Sequence, residues 1–432
     1  MTPTAAPALA TAPSLMAHAS TLLSAPIPTP KPAVGWRRLA SQARVYLPDV
    51  AALAGVALCA VLAALLTGSL GGCGGGVGTE GTGSFASGTI AGYGSIIVNG
   101  VHFDETTAVV QGDDDSRLSP AALALGMVVQ VTGGPITTTA GVSSAVASAV
   151  RTNRALVGPA SAVDVAAGSL TVLGQTVWVS VDTVFDDRLV NGLAGIKVGQ
   201  TLEVYGFYDS TRTAYAATRI APAAGNASLR VTGPVAAVNG SQSFTIGKQT
   251  YLASTAGMVV GAEVQLNLQT NPDSHGDWTV SSQRPGDSTP SDRDGAEFDG
   301  LVSAVLSGTR FVVNGVTVDT SAIGGNAGVK LGSSVEISGA LRAGVLVASK
   351  LDVSNGRDRV KLFELSGSIS GLNTSTRRFV LRGTTVRYAR PDIVFNNFNA
   401  AKLSGYTGKL KVKGVLSADG TLLDATEIEF DN

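Results

Sequence analysis

The sequence is poor in cysteine, histidine and charged residues, and each scarcity argues against a class of protein. Two cysteines in 432 residues rule out a disulfide framework. Three histidines and two cysteines are too few for a zinc site built from those ligands. Only 15% of the residues are charged and the formal net charge is −1, so the composition does not favour a polyanionic partner.

Glycine, by contrast, is abundant, with 53 residues, and valine, threonine, serine and alanine are frequent. These residues are typical of short strands joined by tight turns. A helical protein would use more Glu, Lys, Leu and Gln. A chain of this length is also too long for one ordinary core. We therefore predict an all-β protein with several small domains.

The N-terminal region has the features of a targeting segment. Residues 50–70 carry no charge, Arg37, Arg38 and Arg44 precede them, and small residues follow. This order is typical of a signal peptide. A plain transmembrane helix is the alternative, since about 20 apolar residues span a bilayer.

The end of this stretch, Leu70-Gly71-Gly72-Cys73, resembles the lipobox of bacterial lipoproteins. The resemblance implies that the Cys73 thiol accepts a diacylglycerol, because a thiolate is the nucleophile, and that the chain is cut before this residue. Gly74 follows in place of Asp, which resembles the class sent to the outer membrane of double-membrane bacteria. We therefore expect a leader and signal peptide over 1–72, a Gly-rich tether over 73–87 and a lipid-anchored envelope protein.

Internal repetition organises the remainder of the chain. A glycine followed by apolar alternation opens each repeat, and a second glycine lies in a strand–turn–strand. A third motif, a glycine followed by an alternating strand, recurs in forms such as 332–339. The opening glycines are Gly88, Gly158, Gly233, Gly300 and Gly367. The predicted β repeats are 88–152, 158–222, 233–284, 300–353 and 367–432, with a linker over 285–299.

The fourth repeat explains the predicted fold class. Residues 311–318 are two short strands around Asn314-Gly315, which favours a type I′ hairpin turn. Five strands in about 60 residues are too few for a sandwich core but can close into a small barrel. We therefore predict a tandem array of five small antiparallel β-barrel-like (OB-like) domains after the N-terminal signal/lipobox segment. An open meander packed on its neighbours is the alternative.

Residues 92–103, Gly-Tyr-Gly-Ser-Ile-Ile-Val-Asn-Gly-Val-His-Phe, resemble a repeat found in bacterial lipoproteins. That repeat is catalogued as domain of unknown function 5666. The likeness extends over most of the exported chain and is strongest in the first two repeats. It implies an envelope location and tandem small β-domains, and it implies no activity.

Few residues have the chemistry of a catalytic or metal site. His102 lies beside Asp104 on a predicted strand, with no serine or cysteine nucleophile signature nearby, so we predict a surface residue. The sequence predicts no enzyme and no cofactor. The acidic run 113–115 has the ligand type of calcium but not the spaced pattern of a calcium loop, and solvated turns also use Asp.

The last repeat is basic and offers a possible polyanion contact. Phe379, Tyr388 and Tyr406 are its candidate stacking rings. A solvated strand edge explains the alternating lysines equally well. The candidate contacts are Arg377, Arg378, Arg382, Arg387, Lys409, Lys411 and Lys413.

Three hypotheses follow for the function. The first is a non-enzymatic envelope protein whose membrane contact is the lipid anchor and whose tandem domains meet envelope polysaccharide or a protein partner, in a multivalent or spacer role. The second is OB-like nucleic-acid or polyanion binding through the basic repeat, with marked salt dependence. The third is an enzyme whose site lies between repeats. The first is favoured over nucleic acid because the chain has no overall excess of basic residues.

Overall fold

The computed structural model describes residues 83–286, 291–354, 361–396 and 398–431, and this part of the chain is all-β. It contains thirty strands and four short 3-10 helices. The predicted leader, the lipobox with Cys73 and the tether as far as residue 82 lie outside the described residues. Within the described ranges, none of the helices has the length and apolar composition of a membrane span.

The strands fall into five consecutive segments. The first holds β1 (Ser84–Tyr93), β2 (Ile96–Val98), β3 (Val101–Asp104), β4 (Val109–Gln111), β5 (Arg117–Leu118), β6 (Val128–Gly133), β7 (Thr137–Thr139) and β8 (Val142–Thr152). The second holds β9 (Leu156–Asp164), β10 (Ser169–Val172), β11 (Gln175–Trp178), β12 (Val184–Phe185), β13 (Thr201–Asp209) and β14 (Ala214–Pro222). The third holds β15 (Arg230–Asn239), β16 (Ser243–Ile246), β17 (Gln249–Leu252), β18 (Glu263–Leu268) and β19 (Trp278–Pro285).

The last two segments follow the same plan. The fourth holds β20 (Arg293–Val305), β21 (Arg310–Val313), β22 (Val316–Asp319), β23 (Ser334–Arg342) and β24 (Val345–Ser354). The fifth holds β25 (Phe363–Asn373), β26 (Arg378–Leu381), β27 (Thr384–Arg387), β28 (Val394–Asn396), β29 (Lys409–Leu416) and β30 (Leu423–Asp431).

Each segment closes its five main strands into a small barrel-like sheet. In the fourth segment, β20 pairs antiparallel with β21 and β23, and β21 pairs antiparallel with β22. Strand β22 then pairs parallel with β24, which returns antiparallel to β23. The corresponding strands of the other four segments pair in the same cyclic order, first–second–third–fifth–fourth–first.

The turn between the second and third strands explains the opening glycine. Asn314 and Gly315 both have positive φ, 49° and 73°, which confirms the type I′ prediction. Asn314 Nδ2 donates to the Asp299 carbonyl at 2.9 Å, so its side chain lies over the backbone of β20. A Cβ at Gly300 would collide with Asn314 Oδ1, and Gly88 stands in the same relation to Asn99. In the first and fourth segments the opening glycine is therefore required by a close approach of the turn asparagine within its own segment.

The closing glycine of the third motif, in the fourth main strand of most segments, marks a β-bulge. The pairing of β13 with β14 shifts between Tyr205 and Gly206, and a Cβ at Gly206 would strike the Ala216 carbonyl. The third segment lacks this glycine, and its pairing shifts at the equivalent place, between Asn267 and Leu268.

The segments are tandem in sequence but clustered in space. They lie in one compact unit, Val77–Asn432. Strand β1 runs parallel to β20 and to β25, which merges the first, fourth and fifth segments into one hydrogen-bonded sheet system. Strands β9 and β15 pair antiparallel and join the second and third segments. The barrels therefore form a single body rather than a string.

The first strands also extend beyond the sequence boundaries. Strand β20 begins at Arg293, inside the predicted linker 285–299, and residues 84–87, assigned to the tether, belong to β1. Most of these residues pair with β23 or β6 of their own segment, and Gly295–Phe298 also pair with Ser84–Ser87 across the two segments. Pairing with distant strands therefore orders residues that the sequence motifs left outside the repeats.

Candidate functional site

A cavity of about 410 Å³ lies where the first, second and fifth segments meet. Its first wall is the outward face of the β13–β14 hairpin. Leu202 and Val204 point into the barrel and are fully buried, so Glu203 points outward, and the bulge after Tyr205 leaves that ring outward as well. Arg219 is the cross-strand neighbour of Tyr205 and completes this wall.

Two other segments supply the remaining walls. The first segment contributes apolar side chains from the turn around the 3-10 helix Pro120–Ala122, including Leu118, Ala121 and Leu123. The fifth segment contributes two of its turns, residues 382–384 and 420–422. The lining thus combines apolar and polar side chains.

The arginines of the cavity are mostly paired with carboxylates. Arg219 is 7% exposed, and its Nη2 donates to Asp186 at 2.6 Å while Nη1 donates to the Leu125 carbonyl at 3.2 Å. Burial of the Asp186 carboxyl would raise its pKa, but the hydrogen bond from Arg188 and the charge of Arg219 outweigh burial and lower the pKa. These contacts fix the wall, and the buried Nε of Arg219 is left without a hydrogen-bond partner among the described residues.

Two groups near the cavity have weaker partners. Arg382 Nη1 is 3.5 Å from Glu105 Oε1, and the guanidinium lies over the Tyr93 ring at 5.8 Å from its centroid. Asp187 accepts a hydrogen bond from Thr385 Oγ1 at 3.2 Å, and burial raises the pKa of its carboxyl. One guanidinium and one carboxylate therefore retain hydrogen-bonding capacity toward the cavity.

Two buried residues of the lining carry hydroxyl groups without a protein partner. Tyr205 and Thr152 are 3% and 2% exposed, and both line the cavity. No hydrogen bond joins either hydroxyl to another described residue, and both hydroxyl oxygens keep some accessible surface. Burial, followed by the charge of Glu203, raises the pKa of Tyr205, so its hydroxyl stays protonated. Both hydroxyls are therefore available to a ligand or to water.

Beside the cavity, the acidic run 113–115 is bound by arginines from several segments. Asp113 is 2% exposed and accepts hydrogen bonds from both Arg154 and Arg230, the latter at 2.6 Å. Its backbone carbonyl accepts bonds from Arg151 and Arg284. The run, for which calcium was an alternative, is thus a clasp that joins the first three segments. Within the described ranges no cluster of His, Cys, Asp or Glu has the arrangement of a metal site.

Four of the seven candidate polyanion contacts are already paired with carboxylates. Arg387 makes two bonds to Asp424, at 2.5 and 2.6 Å. Lys411 lies 2.9 Å from Glu364 and Lys413 lies 3.3 Å from Glu427. Arg382 faces Glu105, as described above. Arg377, Arg378 and Lys409 are exposed: Arg378 begins β26, Arg377 lies in the turn before it, and Lys409 begins β29.

The proposed stacking rings of the fifth segment belong to its core. Phe379 is fully buried and Tyr388 is 5% exposed, and the two rings pack together at 5.8 Å. Tyr406 stacks on Phe430 at 4.1 Å. The prediction that these rings are available to bases is wrong for Phe379 and Tyr388, because barrel closure turns them inward.

His102 lies half-buried on β3, and its Nδ1 is 3.4 Å from Ser95 Oγ. Burial lowers the pKa of the imidazole, although Glu364 opposes this. His102 does not line the cavity. The lipidation candidate, Cys73, lies outside the described residues.

The fold defines the class of the protein: an all-β chain of small barrel-like sheets packed into one body. Residues 157–221 and 299–352 match the model of a family described as Domain of unknown function (DUF5666). These regions coincide with the second segment and with most of the fourth, so the chain carries a repeated domain of this family. The motif at 92–103 lies outside both matched regions. No curated protein matches the chain.

The sequence did not single out the residues of the cavity. Glu203 and Tyr205 lie in the repeated motif Gly199–Gly206, whose alternation places Glu203 on the outer face. That pattern does not reveal what the outer face meets. Nothing in the sequence indicates that the first, second and fifth segments come together at this face.

Proposed function

We propose that this protein is a non-enzymatic, lipid-anchored protein of the cell envelope that binds a small ligand in the junction cavity. The observation that carries the proposal is that Tyr205 and Thr152, both buried residues, line a cavity of about 410 Å³ with hydroxyls that have no protein partner among the described residues. Small-molecule sites are typically concave and combine apolar side chains with a few convergent polar groups. This cavity has both kinds of side chain, with a larger polar share.

Five OB-like domains provide the scaffold in this proposal. The cyclic order first–second–third–fifth–fourth–first, repeated in each segment, supports the OB-like assignment. Pairings such as β1 with β20 hold the domains in one body, so we propose a rigid binding scaffold in place of a flexible multivalent spacer. The sequence supports a lipid anchor at Cys73 and an outer-membrane location.

The side chains around the cavity favour binding over catalysis. Asp186 and Glu203 are each held by an arginine, the latter by Arg154 Nη1 at 2.9 Å. The lining contains neither histidine nor cysteine in the described part of the chain. The described wall therefore lacks the histidine and cysteine on which the common nucleophile–base pairs depend.

A blocked cavity tests the proposal. Ala121 lines the cavity and is exposed, so Ala121→Trp fills the cavity without disturbing a core. Ala256→Trp is the matched control, because Ala256 is also exposed and its N–H also lies against a serine two residues earlier, but it is remote from the cavity. A thermal-shift screen of soluble sugars, amino acids, peptides and phosphates is the measurement.

We expect at least one compound to stabilise the wild type and Ala256→Trp but not Ala121→Trp. A ligand at about 100 times its Kd adds about 2.7 kcal/mol to the free energy of unfolding. Stabilisation of all three proteins, or of none, would contradict binding in the cavity. Turnover of any compound in the screen would contradict the non-enzymatic assignment.

A further inference from the structure

We infer, resting on the proposed binding function, that the junction cavity takes a neutral, polyhydroxylated ligand of the size of one or two sugar rings. The charge balance of the lining, the two unpartnered hydroxyls and the apolar side chains of the same cavity support this ligand class.

The charge balance does not suit a polyanion. Four arginines line the cavity, and Arg154, Arg188 and Arg219 are paired with carboxylates at 2.6 to 2.9 Å. Arg382, at 3.5 Å from Glu105, is the least engaged, and it is matched by the carboxylate of Asp187. A strongly anionic ligand would gain one guanidinium and would meet several fixed carboxylates.

The hydroxyls select for a ligand that can both donate and accept hydrogen bonds. Tyr205 and Thr152 each offer one O–H and two lone pairs at nine-tenths burial or more. An apolar ligand would displace water from both hydroxyls and leave them unsatisfied, which disfavours binding. A sugar hydroxyl can pair with these groups, with the Arg382 donors and with the Asp187 acceptor.

Apolar side chains of the lining provide a surface for carbon–hydrogen faces. Leu118, Ala121 and Leu123 from the first segment and Leu422 from the fifth line the same cavity as the two hydroxyls. A sugar ring has polar groups on its rim and apolar C–H groups on its faces, so it can contact both kinds of side chain at once. The cavity volume lies in the range of small-molecule sites and is too small for a folded partner.

Calorimetric titration of the purified full-length protein tests this inference. The probes are glucose, N-acetylglucosamine, maltose and N,N′-diacetylchitobiose, with glucose 6-phosphate as the anionic counterpart. Tyr205→Phe removes only the hydroxyl that lacks a protein partner, so the fold is kept. Tyr208→Phe is the matched control, since Tyr208 lies on the same strand but outside the cavity.

We expect one neutral sugar to bind with one-to-one stoichiometry and to be excluded by Ala121→Trp. Tyr205→Phe should raise its Kd about three- to tenfold, while Tyr208→Phe leaves it unchanged. Glucose 6-phosphate should bind no tighter than glucose. Tighter, salt-sensitive binding of the phosphate, or no effect of Tyr205→Phe, would overturn the inference.

The two proposals can fail separately. If the neutral sugars do not bind but another compound is excluded by Ala121→Trp, the cavity is a binding site and only the ligand class assigned here is wrong. If Ala121→Trp excludes no compound of any class, both proposals are wrong.

Discussion

Replacement of Asp113 by Asn tests whether the arginine clasp holds the first three segments together. The carboxylate is buried and binds both Arg154 and Arg230. Arg154 keeps Asp114 and Glu203 in the variant, at 2.9 Å each. Arg230, whose side chain is 5% exposed, keeps only the neutral amide oxygen of Asn267 at 3.1 Å. The buried guanidinium of Arg230 is thus left without a carboxylate partner.

The magnitude follows from that single stranded charge. Removing one partner of a buried ion pair costs 3–5 kcal/mol, and the remaining bonds of Arg154 place this case near the lower end, at about 3 kcal/mol. The measurement is urea unfolding of the full-length protein, read at the first transition. Adding Arg230→Met to Asp113→Asn removes the stranded charge and should recover more than half of the loss.

Asp115→Asn is the matched control two residues away. Asp115 pairs with Arg151 at 2.7 Å and with Arg284 at 3.0 Å, but its side chain is 62% exposed. An exposed pair contributes at most about 1 kcal/mol. If Asp113→Asn costs no more than Asp115→Asn, the clasp does not stabilise the junction and the reasoning is refuted.

Three further predictions concern acid, a turn and the anchor. Burial would raise the pKa of Asp114, but hydrogen bonds from Ser116 and Arg154 hold it well below its usual range. The stability that the Asp114 carboxylate contributes is therefore complete above its unfolded pKa of about 3.9 and is lost as pH falls toward its folded pKa. The urea midpoint should therefore drop below pH 4, and it should drop by less in Asp114→Asn. Asn314→Ala places alanine at φ 49° and removes the hydrogen bond to the Asp299 carbonyl. The free energy of unfolding should therefore fall by about 2 kcal/mol. A loss smaller than about 0.5 kcal/mol, roughly the error of the assay, would contradict that account. Cys73→Ala should abolish incorporation of a clickable fatty acid and release the protein from membranes, whereas absence of labelling in the wild type would mean that the lipobox was misinterpreted.

Local features of the fold were predictable because they depend on neighbouring residues. The Asn314-Gly315 turn, the alternating strand of the motif at 332–339 and the five-strand pattern all follow from backbone preferences and side-chain periodicity. Some of the repeated glycines mark places where backbone or a turn side chain comes close, as at Gly300.

Features that depend on distant contacts were not predictable. The run 113–115 carries no signal that distinguishes a solvated turn from a clasp, because the buried partner of Asp113 lies 117 residues away at Arg230. The alternating lysines of β29 were expected at a solvated edge or a polyanion site. Lys411 and Lys413 instead pair with Glu364 and Glu427 on the flanking strands.

The sequence by itself determined the all-β class, the repeated strand–turn pattern and the expectation of an anchored envelope protein, because composition, periodicity and short motifs act locally. The tertiary structure alone decided that the segments cluster into one body and that the outward faces of three of them enclose a cavity. The physical reason is that the alternation of apolar and polar residues within a strand decides which side chains face the core of its own barrel. What its outward side chains meet depends on pairings between segments, such as those of β1 with β20 and β25.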